Sequence, residues 1–296
     1  MIAMQSVLIT GVYGLLGQNL VRALVRSGRT VYGMDKLSPS FQLDGLSRYF
    51  QADMTEPKSL ALIFNACQPD ILINTAAVTN VDLCEKERSL AFQVNTEAVG
   101  HLLSAAPKAR FVQISTDYVF DGKAGPYCDD APVNPISVYG ASKAKAEALT
   151  MGYSNDNLVI RTMVLFGKGQ SLRPDFITFV RESLSAGKQI NIVTDQIGNI
   201  TLVGNLADNI TALLNAESKG IYSLAGSDLL SRFEIARLIA VHDGLAEENI
   251  HPIVTASLHQ AAKRPLNSGF VMDRARRVPG IELLSFQEQL KRYDAE

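Results

Sequence analysis

Tyr139 and Lys143 stand four residues apart in V-Y-G-A-S-K, downstream of the segment I-S-T-D-Y-V-F-D-G. A phenol beside an ammonium can deliver a proton to a carbonyl oxygen, because the positive charge favours phenolate and draws the donor's pKa down from about 10. Assistance of that kind is worth roughly 10²–10⁴-fold in rate. Thr116, at the end of I-S-T, offers a hydroxyl to the same oxygen, and Asp117 beside it can meet a sugar hydroxyl. With nine tyrosines in the chain, one Tyr-x-x-x-Lys match carries little weight, and Tyr32 with Lys36 supplies another. Geometry separates the two. Tyr32 and Lys36 lie along a predicted strand, where four residues span about 13 Å. Tyr139 and Lys143 open an alanine-rich stretch that predicts a helix, on which side chains four apart are neighbours at about 5–6 Å.

A carbonyl that receives a proton on oxygen needs a hydride on carbon, and the start of the chain, L-I-T-G-V-Y-G-L-L-G, can hold its carrier. Gly11, Gly14 and Gly17 follow a short apolar run. Gly11 permits the turn, Gly14 lets backbone approach a diphosphate, and Gly17 lets the first helix sit close to the sheet. The next apolar run ends at Asp35, placed to accept hydrogen bonds from an adenosine ribose. Lys36 gives the opposite advice, since its ammonium suits the extra phosphate of NADPH. The cofactor expected is therefore NADPH or NADH, with a slight lean to NAD. Asp53, after a third strand, and Ala76 and Ala77, after a fourth, sit where adenine and the nicotinamide ribose would pass.

These residues need a parallel sheet to bring their strand ends together. Ser6–Thr10, Thr30–Met34, Ile71–Thr75, Phe111–Ser115 and Leu158–Arg161 read as buried strands, and Leu15–Arg26, Ser59–Cys67, Arg88–Ala105 and Tyr139–Met151 as the helices between them. The stretch from Asp117 to Ser137, rich in Asp, Gly, Pro and Asn, reads as a loop over the strand ends. Beyond Gly169 the pattern loosens, with helices near 176–186, 202–214, 232–241 and 286–292 and strands near Ile190 and Ile221. The fold expected is α/β: a Rossmann-type doubly wound parallel sheet with a smaller C-terminal substrate-binding lobe. Residues 1–165 would form the dinucleotide-binding domain, and 166–296 mainly the lobe, partly interleaved with the first domain.

Composition narrows the alternatives. The 296 residues carry a formal net charge of -2 and no basic run, which argues against nucleic acid. The first apolar run is too short for a signal peptide or a membrane span, so a cytoplasmic protein without a membrane partner is expected. Cys67, Cys84 and Cys128 lack metal-ligand spacing and read as reduced packing thiols, and the four histidines are scattered, so no metal is expected.

Together with S-T-D-Y-V-F-D-G at 115–122, the segments V-I-R-T at 159–162, G-K-G at 167–169, T-D-Q-I-G at 194–198 and K-R-P-L-N-S at 263–268 extend the pattern. Over nearly its whole length the chain resembles the extended short-chain dehydrogenase/reductase family, and within it the dTDP-4-dehydrorhamnose reductase branch. The resemblance implies reduction at C4 of a dTDP-4-dehydro-6-deoxyhexose, with Thr116, Tyr139 and Lys143 as catalytic residues. It implies cofactor contacts at Gly14, Leu15, Leu16, Asp35, Asp53, Met54, Ala76 and Ala77, and substrate contacts at Val78, Thr116, Asp117, Val164 and Arg264. The implied partner is a nucleotide sugar, and a homodimer is compatible with the branch. Where rhamnose-forming members carry a sugar-lining tryptophan after V-I-R-T, this chain has Met163 and Val164, and it contains no tryptophan, which leaves the sugar open. The same fold and pair also serve nucleotide-sugar epimerases and dehydratases, and a non-catalytic relative, the regulatory β-subunit of methionine adenosyltransferase. Dehydratases want a glutamate after the aspartate, where Tyr118 stands, and the intact trio argues against a merely regulatory chain.

Overall fold

Largely buried apolar runs make the centre of the molecule in β1 (Ser6–Thr10), β2 (Thr30–Asp35), β4 (Ile71–Asn74), β5 (Arg110–Thr116) and β6 (Leu158–Thr162), while β3 (Leu46–Gln51), at the sheet edge, is half exposed. Burial on both faces is what such runs require, and helices supply it. They are α1 (Leu15–Arg26), α2 (Pro57–Cys67), α3 (Val81–Lys86), α4 (Arg88–Phe92), α5 (Ala98–Ala105) and α6 (Val138–Tyr153). The computed structural model describes residues 5–38, 41–170, 172 and 174–296.

All strands of the sheet run parallel. Its order is completed by a later strand: β11-β6-β5-β4-β1-β2-β3, with β11 spanning Gly220–Ser223. Strand order reverses between β1 and β4, and the carboxyl ends of these two strands leave the crevice in which doubly wound folds bind ligands.

Beyond β6 the chain forms β7 (Leu165–Phe166), α7 (Phe176–Ser185), β8 (Ile190–Val193), β9 (Ile197–Gly198) and β10 (Thr201–Leu202). Helix α8 (Val203–Asn215) then returns to the sheet layer, where Leu206, Ile210 and Leu213 share a core with Leu20 and Leu24 of α1. After β11 come β12 (Leu230–Ser231), α9 (Arg232–Asp243), β13 (Ile250–Ile253), α10 (Asp273–Arg276) and α11 (Phe286–Ala295). Phe166, Ile177, Val180, Ile192, Ile239 and Phe286 form a second core among these later elements. At its surface Arg181 of α7 clamps Asp243 of α9 and Asp294 of α11, each at 2.7 Å. His242 lies beside those two carboxylates, so the only acid–histidine cluster among the described residues is already bound by a guanidinium.

Three details differ from the sequence expectation. The helix predicted over 88–105 is interrupted by a π-helical turn at Gln93–Glu97, which lets Asn95 and Thr96 aim side chains at neighbouring backbone. Helix α3 lies in a stretch that carries no sequence assignment, although Asn80 caps it by accepting from Leu83 N at 2.9 Å. Cys67 and Cys84 are buried thiols, but Cys128 is exposed in the loop after β5, so packing does not describe it.

The close approach of α1 to the sheet is set by Gly17. A Cβ there would lie 2.5 Å from Gly11 O and 2.7 Å from Val12 Cα, both backbone atoms that cannot rotate away. Gly17→Ala is expected to lower stability by about 1–3 kcal/mol, the usual cost of overpacking. Urea denaturation measures this, and an unchanged midpoint would sink the close-packing account.

Candidate functional site

The turn between β1 and α1 is built by hydrogen bonds among its glycines. Gly11 has φ 66°, and a Cβ on it would lie 2.9 Å from backbone of Ala76 at the end of β4. Gly14 N donates to Gly11 O at 3.0 Å, and α1 begins at Leu15 with no side chain capping its first turn. Unsatisfied N–H groups at a helix start face an anion favourably. Asp35 accepts from Tyr13 N at 3.2 Å and from Leu37 N at 3.3 Å, so its carboxylate also pins the turn. Lys36 donates to Asp53 at 2.9 Å, so the ammonium that would suit an extra phosphate is paired with another expected cofactor contact. Met34, Asp35, Lys36, Asp53, Met54 and Ala76 line one chamber of about 350 Å³.

That chamber is continuous in lining with a larger cleft of about 740 Å³, which Gly11, Asp35, Ala76 and Ala77 share with Thr116, Tyr139 and Lys143. Leu15 and Leu16 border the same cleft, while Gly17 supports it from behind and Val78 borders the smaller chamber. Helix α6 presents the pair because Ser137 caps it, accepting from Gly140 N at 3.1 Å, and because the π turn grips its first turns. Asn95 accepts from Val78 N at 2.8 Å and donates to Ser142 Oγ at 3.0 Å, and Thr96 donates to Ser142 O at 2.8 Å. The segment after β4 is thereby tied to the residue next to Lys143.

The ammonium of Lys143 donates to Ile114 O on β5 at 2.6 Å, and burial brings its pKa down to about 8 while Glu147 opposes the fall. The expected lowering of the Tyr139 pKa is overturned. Burial pushes the phenol up, and the Thr116 hydroxyl only partly offsets this, because a buried phenolate loses more hydration than that one neighbour returns. Tyr139 is therefore a firmly protonated donor.

Beneath the pair lies a network that sequence reasoning missed. Glu147, one turn beyond Lys143, takes the Arg161 guanidinium at 3.0 and 2.7 Å and the Ser115 hydroxyl at 2.5 Å, and all three are buried. Arg161 also donates to Asp129 O at 3.0 Å. Sequence spacing offered only one signal, the continuation of the four-residue step from Tyr139 through Lys143 to Glu147.

On the opposite wall, Asp117 is buried and accepts from Thr116 Oγ1 at 3.0 Å and Ser268 Oγ at 2.6 Å. Burial raises its pKa to about 6, against the pull of those two hydroxyls. Val164 has φ 39°, a left-handed conformation that a β-branched residue adopts only under constraint, and its carbonyl is held by Thr201 N at 3.1 Å. Arg264 is engaged elsewhere: it grips Asp82 at 2.7 and 3.2 Å and donates to Ala262 O at 2.8 Å. Arg232, absent from the sequence expectations, lines the cleft at the first position of α9.

Comparison with known proteins agrees with this architecture. A family model described as RmlD substrate binding domain matches residues 4–296. The spore coat polysaccharide biosynthesis protein SpsK of Bacillus subtilis is 32% identical, over 98% of this chain and 97% of its own. The dTDP-4-dehydrorhamnose reductase of Aggregatibacter actinomycetemcomitans is 31% identical, over 97% of this chain and 98% of its own. The crystal structure of dTDP-4-dehydrorhamnose reductase from Bacillus anthracis in complex with NADP superposes with a TM-score of 0.88 at 30% identity, covering 99% of both chains.

The two shifted groups bracket a pH window. Asp117 accepts from both hydroxyls only when ionised, above about pH 6, and Lys143 keeps its charge only below about pH 8. Turnover that depends on both should fall outside that window. Glu147→Gln removes the charge that supports the Lys143 ammonium, so the alkaline limb should move to lower pH. A pH series of kcat/KM for wild type and variant checks this, and an alkaline limb that stays in place would refute the link.

Proposed function

The chain belongs to the family described as the RmlD substrate binding domain, and from that premise we propose that it reduces the C4 keto group of a dTDP-4-dehydro-6-deoxyhexose with NAD(P)H, as a dTDP-4-dehydrorhamnose reductase in nucleotide-sugar biosynthesis. The observation that carries the reading is the convergence of Thr116, Tyr139 and Lys143 on the cleft that the glycine turn also borders.

The turn suits a dinucleotide. Gly11 and Gly17 sit where a Cβ would meet backbone, and the start of α1 leaves its amides to a diphosphate. Held by this turn and the start of α1, a reduced nicotinamide cofactor would supply hydride for the keto carbon. Tyr139 donates its proton to the carbonyl oxygen, and its high pKa keeps that proton in place until negative charge develops. The Thr116 hydroxyl steadies the same oxygen, with Asp117 orienting it. Lys143 brings a buried ammonium, held by Ile114 O, to the same cleft, where it is suited to a ribose hydroxyl. The aliphatic wall of Met163 and Val164 offers a 6-deoxy sugar van der Waals contact instead of ring stacking. The reading carries with it a cytoplasmic setting, and among the described residues no helix is long and apolar enough to cross a membrane.

Loss of reduced-nicotinamide absorbance on mixing the protein with dTDP-4-dehydro-6-deoxyglucose, with and without its epimerase, tests reaction, cofactor and substrate together. Tyr139→Phe should retain the melting temperature and lose roughly 10²–10⁴-fold in turnover. Undiminished turnover in that variant would end the assignment of Tyr139 as proton donor.

A further inference from the structure

Arg232 begins α9, at the seam where the cleft meets a small chamber lined by Asp117, Tyr118, Gln196 and Ser268. Its amide donates to Gln196 O at 3.2 Å, but among the described residues its guanidinium has no hydrogen-bond or ion-pair partner at bonding distance; the Phe176 ring lies 5.5 Å away, and the buried Asp117 carboxylate attracts it only from longer range. Glu234 and Asp117 have other hydrogen-bond partners. Glu234 is held by the helix cap, taking Ser231 N at 2.7 Å and Ser231 Oγ at 2.8 Å. Both oxygens of Asp117 are taken by Thr116 and Ser268.

The remaining cations of this region are engaged as well. Lys143 is bonded to Ile114 O, and Arg264, expected as a substrate contact, is locked to Asp82. A guanidinium stays charged at any working pH, and one that is partly withdrawn from water without an acceptor is costly unless a ligand completes it. Its planar fork matches paired anionic oxygens better than isolated hydroxyls. A nucleotide sugar whose C4 lies at Tyr139 brings such oxygens into the cleft, on its diphosphate or on a carboxylate borne by the sugar.

We infer that Arg232 is a specificity residue that receives a pair of anionic oxygens of the nucleotide-sugar substrate. The inference rests on the reductase reading above and adds to it the residue that neutralises the substrate beside the reacting sugar.

Calorimetric titration of the full chain tests it, with dTDP-glucose, dTDP-glucuronate and NADPH as probes, in wild type, Arg232→Met and Arg232→Lys. If the diphosphate is the partner, Arg232→Met should weaken dTDP-glucose at least about tenfold and Arg232→Lys less, because the single ammonium cannot reproduce the fork. NADPH affinity and melting temperature should hold. If a sugar carboxylate is the partner, dTDP-glucose affinity stays level, while the wild-type preference for dTDP-glucuronate disappears in Arg232→Met. Unchanged affinities for both sugar nucleotides would overturn the inference and leave the reductase reading standing. Wild type that binds NADPH but neither sugar nucleotide would overturn both.

Discussion

The carboxylate of Glu147 is the point on which the catalytic end of this molecule is hung. A buried carboxylate is tolerated only where its charge and lone pairs are met, and here Arg161 and Ser115 meet them. Those three residues come from α6, β6 and β5, so satisfying one charge fixes the mutual position of three elements. Thr116 follows Ser115 on its strand, and Lys143 precedes Glu147 by one helical turn. The hydroxyl, phenol and ammonium on the cleft are thus placed by a buried network behind them. Removing one partner would leave an uncompensated charge in the core, a larger loss than an exposed ion pair could cause.

The remaining wall of the cleft is positioned by contacts between segments distant in sequence. Ser268 reaches Asp117 from the C-terminal third of the chain, and Thr201 holds the strained Val164. The Thr116 hydroxyl is therefore oriented partly through residues from the later part of the chain. The alignment of Thr116 depends on Asp117, and the carboxylate that orders the hydroxyl is itself held by Ser268.

Much of this was legible in the sequence, for local reasons. A strand followed by Gly11, Gly14 and Gly17 has few uses, since the turn needs a positive φ and the helix needs a missing side chain. Tyr139 and Lys143 were legible because helical spacing is fixed by geometry. The rest depended on tertiary distance. Arg264 meets Asp82 across 182 residues, and nothing near either residue announces the pair. Lys36 and Asp53 were each read toward the cofactor, but adjacent strand ends bring them together. The direction of the Tyr139 pKa was misjudged because the neighbouring ammonium is visible in sequence and the depth of burial is not. Arg232 escaped notice for a similar reason: an arginine at a helix start is unremarkable until its surroundings are known to lack an acceptor.

The return of β11 to the sheet bears on how the protein is made. Strand β6 is complete at Thr162, but its outer neighbour β11 begins at Gly220, and the cover for the apolar face of α1 arrives with α8. During synthesis β6 leaves the ribosome with an open edge, and it stays unpaired while some sixty further residues are added. A polypeptide ending near residue 165 would keep that edge, along with a bare stripe of Leu20 and Leu24. The sheet edge beside β6 and the apolar face of α1 are thus completed only by segments made well after residue 165.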